Sequence, residues 1–317
     1  MTIITFILSH VIPGDPARYA AGLIAGPEQV EKVRSEMGLD KPIYKQYAMY
    51  MTSLMRGDLG KSYRNNREIK DDIRYYFPAT LELSLLSLLI STILGVFFGA
   101  LSAYKKDTLI DQASRSFSIF GVSMPVFWLG MLLQIVFYAH LDWLPSGGRI
   151  DLELGAPKSA TGLYIVDSIL AGDGARLVSS LKHLLMPSLS LALTMMAITA
   201  RMSRSSLLEV LNSDYIRTAR AKGLGEFRVV CMHALKNAMI PTTTVIGGQL
   251  GWLLGGAFIV ETIFSWPGIG TYGVQAILGL DFPVIMALTI LLSLVYVVVN
   301  LLVDIVYLYL DPRIDYS

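Results

Sequence analysis

Five long apolar stretches alternate with polar segments along the 317-residue chain. They occupy residues 81–104, 116–140, 184–202, 238–260 and 282–310. Each has about the 20 residues that an α-helix needs to cross about 30 Å of hydrocarbon. The pattern therefore predicts five transmembrane helices and an all-α polytopic membrane protein.

A shorter apolar run, residues 1–13, precedes these stretches. About a dozen helical residues extend only ~18 Å, which is too short for a crossing. We expect this run to be a truncated first transmembrane helix, which brings the predicted number of crossings to six. The polar residues 14–77 predict an extracytoplasmic segment, and Pro78 with Thr80 predicts the start of the next helix.

The composition agrees with a membrane location. Hydrophobic residues make up 53% of the chain and charged residues only 16%, whereas a soluble domain has about 25% charged residues. The net charge of +1 argues against nucleic acid as a partner. The single cysteine, Cys231, excludes an intrachain disulfide and a cysteine-based metal cluster. We expect no metal and no cofactor on this chain.

Lysine and arginine residues are distributed unevenly between the short loops. Seven lie in 201–237 and three in 105–115, but none lies in 261–281. Because short cytoplasmic loops are enriched in these residues, we expect both basic loops in the cytoplasm. With six crossings, both termini are then cytoplasmic, including the tail 311–317.

The most distinctive polar segment is 208–224, between the fourth and fifth of the six predicted spans. Its apolar residues recur at helical spacing, and Gly223 suits the position after a helix where a positive φ is common. Asn212 or Ser213 can cap the start, and Asp214 lies in the first turn, where negative charge is favoured. The segment predicts a short helix on the membrane surface. The alternative is a surface helix without a partner.

Glycines recur at every fourth position in two of the spans. Small residues at this spacing let neighbouring helices approach closely. We expect helix packing at Gly95, Gly99, Gly247, Gly251 and Gly255. For the last three, packing within the chain is favoured over packing against another subunit. A proline in the third span, Pro125, predicts a kink or a break there.

The chain contains no catalytic motif. Residues 60–62 resemble the end of a phosphate-binding loop, but Met55 stands where the pattern needs glycine. Residues 121–123 resemble a serine nucleophile elbow, but Pro125 stands where that pattern needs glycine. We therefore expect no catalytic residue and no enzymatic activity on this chain.

Three carboxylates are candidate contacts with a transported substrate: Glu82, Glu261 and Asp304. Ionisable groups in membrane segments are costly and often mark transport pathways. We expect Glu82 and Glu261 near the external membrane edge, where water is accessible, and Glu82 in a first helical turn. A structural role is the alternative for all three. An ion-coupled secondary transporter is the competing function, although no inverted repeat supports it.

Several motifs resemble one family of membrane transport subunits. The segment 208–224, followed by 233–241, resembles the cytoplasmic EAA motif loop of type I ABC importer permeases. More narrowly, the chain resembles the first permease subunit of dipeptide, oligopeptide and nickel uptake systems. This similarity extends to residues 13–16, 57–63, 78–83, 144–148, 260–270, 303–307 and 311–313.

Two positions depart from the wider family. Residues 217–219 read Arg-Thr-Ala where that family has Glu-Ala-Ala, and Leu235-Lys236 stands where it has Leu-Pro. Both departures look like features of the first subunit of peptide systems.

The resemblance implies a type I ABC importer permease fold, with a permease domain at 78–310 and a coupling helix at 208–224. It also implies four kinds of partner in a bacterial or archaeal cytoplasmic membrane: a pseudo-symmetric second permease, two ABC ATPase subunits, an extracytoplasmic substrate-binding protein and the lipid bilayer. The substrate would be a di- or oligopeptide, with nickel, glutathione or an oligosaccharide as alternatives. The implied ATPase-docking residues are Asp214, Tyr215, Ile216, Arg217, Ala219, Arg220, Lys222 and Gly223.

Overall fold

The structure, a computed structural model, describes residues 2–11, 15–22, 25–158 and 160–310. Helices dominate the secondary structure of these residues. In chain order they are α1 (Thr2–Val11), α2 (Pro16–Ala21), α3 (Pro27–Glu36), α4 (Ile43–Met55), α5 (Ile69–Tyr104), α6 (Leu109–Ser123), α7 (Val126–Leu133), α8 (Tyr164–Leu170), α9 (Gly174–Leu211), α10 (Asp214–Ala221), α11 (Glu226–Arg228), α12 (Leu235–Gly256), α13 (Phe258–Ile263), α14 (Ile269–Leu278) and α15 (Phe282–Leu310). Two π-helical stretches, Gln134–His140 and Val229–Ala234, follow α7 and α11.

Three of the described helices are long and apolar enough to cross a membrane: α5, α9 and residues 282–306 of α15. The helices α6 and α7, with the π-helical turn that follows, add a fourth span if the bent pair is counted as one. The prediction of several long apolar helices is thereby confirmed. The count of six crossings, with residues 1–13 as the first, stays a prediction.

The third predicted span is broken at Pro125. α6 ends at Ser123, Met124 has an extended backbone, and the two halves meet at 101°. Proline lacks the N–H that a continuing helix needs, and it disfavours a helical residue before it. The predicted break is confirmed, but the span begins earlier than residue 116, at Leu109.

The second span begins earlier than Pro78 and Thr80 predict. α5 starts at Ile69, has two aspartates in its first turn, and continues through Pro78 to Tyr104. Negative charge near a helix N-terminus is favourable, and the side chain of Ile69 is fully buried. Glu82 therefore lies well inside the helix, so its predicted place in a first turn is wrong.

The remaining spans differ from expectation mainly at their ends. α9 begins at Gly174 instead of 184, because the Asp173 carboxylate accepts a hydrogen bond from the Arg176 N–H and caps the helix. The fifth span is divided into α12 and the short α13 after Gly256. The last span, 282–310, has the predicted bounds.

Two glycines bring α5 and α9 into close contact. A Cβ added at Gly95 would lie 2.6 Å from the Thr199 Cβ, and one at Gly99 would lie 2.6 Å from the Ala200 carbonyl oxygen. Real Cβ atoms do not approach other atoms so closely, so a larger residue would push the helices apart. These two positions lie at a helix contact, as the spacing predicts.

Two glycines of α12 face α15. A Cβ at Gly247 would lie 2.2 Å from Val303, and one at Gly251 would lie 3.0 Å from Tyr296. Gly255 has no neighbouring atom within 4 Å of such a Cβ in the part of the chain that the structure describes. Two of the three positions therefore pack within the chain, and the third has no such contact there.

Candidate functional site

A short helix, α10, lies between the long helices α9 and α12. Ser213 occupies the position before it with an extended backbone, and Asp214 lies in its first turn. The Ser213 hydroxyl donates to the Val210 carbonyl oxygen at 2.6 Å, and no side chain caps α10. The expected capping by Asn212 or Ser213 is therefore wrong, because the serine hydroxyl bonds back to the end of α9.

Gly223 ends α10 in a Schellman motif. Its φ is +79°, and its N–H donates to the Arg220 carbonyl oxygen at 2.9 Å. The next N–H, of Leu224, donates to the Ala219 carbonyl oxygen at 3.4 Å. This pair of bonds needs a left-handed residue after the helix, which glycine adopts without strain. The sequence-based expectation of a positive φ at Gly223 agrees with this geometry.

One face of α10 is buried in the chain itself. Ile216 is fully buried and Ala219 is 9% exposed. They pack in one apolar cluster with the ends of α5 and α9 and with the segment that leads into α12. The other buried members of this cluster are Ala103, Leu207, Val229, Val230, Ala234 and Ala238. Burial of an isoleucine side chain contributes roughly 1.5–3 kcal/mol, so this face fixes α10 against the spans.

The predicted docking residues thus lie on two faces of α10. Ile216 and Ala219 contact the chain's own core, so in this arrangement they anchor the helix and have no surface for a partner. The helical period groups them on one face but does not say which way it points. The other predicted residues are exposed: Asp214, Tyr215, Arg217, Arg220, Lys222 and Gly223.

Tyr215 joins α10 to the start of α12. Its hydroxyl oxygen accepts a hydrogen bond from the Asn237 side-chain amide at 2.7 Å. The hydroxyl can also donate to the His233 carbonyl oxygen at 3.4 Å. The ring remains 44% exposed, so Tyr215 connects two elements and still presents apolar surface.

Arg220 joins the end of α10 to α11. Its Nε and Nη2 atoms donate to the two carboxylate oxygens of Glu226 at 3.1 and 2.6 Å. These hydrogen bonds hold the pKa of the Glu226 carboxyl below its usual range and raise the pKa of the Arg220 guanidinium. Because both side chains are partly exposed, the pair fixes orientation more than it adds stability.

Two exposed apolar side chains near α10 do not follow from the periodicity of the sequence. Phe227 is 79% exposed and Met232 is 69% exposed. Both lie in the segment between α10 and α12. The signal available in the sequence is a lone aromatic in the polar run 225–228, where no helical face would bury it.

The first pathway candidate, Glu82, forms a buried ion pair. The Arg149 Nη2 and Nε atoms donate to one Glu82 oxygen at 2.7 and 3.1 Å, and the Ile165 N–H donates to the other. The guanidinium carbon lies 3.7 Å from the centre of the Tyr164 ring. The expected water-accessible position is wrong. The carboxylate lies inside the protein, where an arginine that is distant in sequence and a backbone N–H provide its hydrogen bonds.

Glu261 is also inside the protein. It has no exposed surface, and its oxygens accept hydrogen bonds from the Thr80 hydroxyl at 2.6 Å and the Thr271 N–H at 2.8 Å. A Cβ at Gly268 would lie 2.3 Å from its Oε1 atom. The expected solvated position is again wrong: Glu261 joins α5 to the first turn of α14.

The third candidate, Asp304, is exposed on α15. Its carboxylate has no hydrogen bond or ion pair with the residues that the structure describes. Placing an unpaired carboxylate of an apolar helix in lipid costs free energy. Its contact with a transported substrate stays a prediction.

The chain matches two family models that together cover most of its length. Residues 95–316 match the model described as the binding-protein-dependent transport system inner membrane component. Residues 1–84 match the model for the N-terminal part of the membrane component of such systems.

Its relatives are similar over nearly their whole length. A probable D,D-dipeptide transport system permease protein of Escherichia coli K12 is 47% identical over 98% of this chain and 92% of the relative. A dipeptide transport system permease protein of Alkalihalophilus pseudofirmus is 46% identical over 100% and 95%. A glutathione transport system permease protein of Escherichia coli O6:H1 is 38% identical over 100% and 94%.

These similarities confirm the resemblance to type I ABC importer permeases that the motifs indicate. They also confirm that the chain's family is a family of transport permeases and not of enzymes. The chain belongs to the family of binding-protein-dependent transport system inner membrane components.

Proposed function

We propose that this chain is the transmembrane permease subunit of an ATP-driven, binding-protein-dependent importer of di- and oligopeptides. It forms half of the translocation pathway, beside a second permease subunit, and two separate ATPase subunits hydrolyse ATP. The relatives support the substrate class, because those named for di- and tripeptides are 40–47% identical, whereas those named for glutathione are 38% identical. No cofactor is needed on this chain.

The position of α10 is the observation that carries the proposal. Its apolar face is buried against α5, α9 and the start of α12. Tyr215 and Arg220 connect it to the segment that follows. A short helix held in this way transmits a displacement to the spans, whereas a flexible loop would absorb it. An ATPase that moves α10 would therefore move α9 and α12 with it.

The exposed side of this region has the composition of a docking surface. Its exposed apolar side chains are Phe227, Met232 and Tyr215. Two exposed basic side chains belong to the same region: Arg217, which lies 3.3 Å from the Asp214 carboxylate, and Lys222. Aromatic and methionine side chains are enriched in interface cores, and rim charges orient a partner more than they add affinity. We infer that an ATPase subunit with a complementary acidic rim docks here.

The proposal also fixes the orientation of the chain in a bacterial or archaeal cytoplasmic membrane. The basic loops 105–115 and 201–237 lie in the cytoplasm, and both termini with them. The segments 14–77 and 141–183 then lie outside, where they form the landing surface for the substrate-binding protein. The buried pair of Arg149 and Glu82 holds the second of these segments against α5.

Uptake into proteoliposomes tests the proposal. The complete complex is reconstituted with the second permease, both ATPases and the binding protein, and a labelled dipeptide is supplied on the binding-protein side. We expect accumulation that requires ATP hydrolysis and proceeds without any ion gradient. Uptake that ignores ATP and follows a proton or sodium gradient would instead establish the competing ion-coupled transporter.

A further inference from the structure

A cavity of about 600 Å³ lies between α6, α9 and the end of α5, beside the two basic loops. Its wall includes five serines and three arginines, Arg115, Arg201 and Arg204. This volume is in the range of about 300–1,000 Å³ that small-molecule sites usually have. None of the candidate pathway carboxylates lies in this wall.

The wall of the cavity carries more positive charge than the neighbouring carboxylate of Asp111 neutralises. Asp111 is fully buried and accepts hydrogen bonds from the Arg204 Nε and Nη2 atoms, both at 2.8 Å, and from the Ser102 hydroxyl. Arg115 lies 3.6 Å from the same carboxylate. Two of the three guanidinium groups, those of Arg204 and Arg115, therefore share the one carboxylate of Asp111. Arg201 is exposed, and no described carboxylate lies within ion-pair distance of it.

The serines of α6 add acceptors to this wall. The Ser118 hydroxyl donates to the Ser114 carbonyl oxygen, and the Ser123 hydroxyl donates to the Ile119 carbonyl oxygen, both at 2.9 Å. Each oxygen keeps a lone pair that can accept a hydrogen bond. A polar, charged wall on membrane helices is stable only beside water or another protein surface.

We propose that this cavity binds the terminal carboxylate of the transported peptide, with Arg201 as the contacting residue; this rests on the proposed function. A guanidinium pairs with a carboxylate through two parallel hydrogen bonds. The serine oxygens accept hydrogen bonds from the peptide N–H groups. Because every linear peptide ends in a carboxylate, this contact does not depend on the substrate's side chains.

The test is protection of a cysteine in the cavity wall. The complete complex carries Ser205→Cys as the reporter and Cys231→Ser to remove the native thiol, in nanodiscs of zwitterionic lipid without nucleotide. The rate of maleimide modification at position 205 is measured by mass spectrometry. The probes are alanyl-alanine and the same dipeptide with a C-terminal amide.

At saturating concentration we expect the free acid to slow modification about tenfold and the amide to leave the rate unchanged, since only the carboxylate forms a charge-assisted pair with a guanidinium. Arg201→Gln abolishes this protection. Lys106→Gln, which removes a charge from the neighbouring loop but not from the wall, retains it. If Ser205→Cys prevents assembly, Ser123→Cys in the same wall is the second reporter.

Equal protection by acid and amide, or protection that survives Arg201→Gln, would overturn the inference. Protection by phosphatidylglycerol in the nanodisc, with none by the peptide, would overturn it in favour of a lipid headgroup site. ATP-driven uptake by the complex with Arg201 intact is measured in parallel. Loss of that uptake would count against the proposed function, whereas normal uptake without peptide protection would count against this site alone.

Discussion

Replacing Gly223 with proline is expected to abolish ATP-driven uptake while the two permeases and the two ATPase subunits still assemble. Gly223 has φ +79° and donates its N–H to the Arg220 carbonyl oxygen. Proline fixes φ near −65° and has no N–H, and it disfavours the near-helical backbone of Lys222 before it. The end of α10 would unwind, so motion of the ATPase would no longer reach the spans.

Gly225→Pro is the matched control for this variant. Gly225 lies two residues further on, has φ −61° and precedes α11, where proline is compatible with the backbone. A Cβ at either position meets no atom within 4 Å, so steric clashes do not distinguish the two variants. Uptake and ATP hydrolysis are measured together in proteoliposomes. Uptake by Gly223→Pro that is as fast as uptake by Gly225→Pro and by the unaltered protein would show that the end of α10 has no part in coupling.

Arg149→Ala is expected to destabilise the protein by about 3–5 kcal/mol, because it leaves a buried carboxylate without its partner. Glu82 and Arg149 are 7% and 6% exposed, and their nearest charged atoms lie 2.7 Å apart. The same change removes a cation–π contact with Tyr164. The thermal unfolding midpoint of the purified complex should fall clearly.

Two further variants separate charge from packing. The double change Glu82→Leu with Arg149→Met should recover much of the lost stability, because apolar replacement of a buried ion pair is often nearly neutral. Lys158→Ala, an exposed position in the same external segment, should leave the midpoint unchanged. If Arg149→Ala unfolds at the same temperature as Lys158→Ala, the buried pair contributes nothing to stability.

Local patterns in the sequence predicted those features of the fold that depend on neighbouring residues. The bounds of α15, the break at Pro125 and the positive φ of Gly223 all follow from apolar length or from the backbone chemistry of proline and glycine. Pro78 misled because proline is also tolerated inside α5, where Asp71 and Asp72 favour an earlier start.

The carboxylates show why the rest was not predictable. Arg149 is separated from Glu82 by 67 positions, and Thr80 from Glu261 by 181. No local pattern connects residues so far apart, so their burial appeared only in the folded chain. For α10, periodicity placed Ile216 and Ala219 on one face but could not show that the chain's own core covers that face.

Crosslinking at α10 tests most directly whether an ATPase subunit binds this helix. The complete complex carries Arg217→Cys together with Cys231→Ser, and a short thiol-to-amine crosslinker is added with and without ATP. Lys158→Cys, in the proposed external segment, serves as the control. We predict a crosslink from position 217 to an ATPase subunit, with a yield that changes with ATP, and none from position 158. A crosslink from position 217 to the substrate-binding protein, or none to the ATPase, would contradict the account.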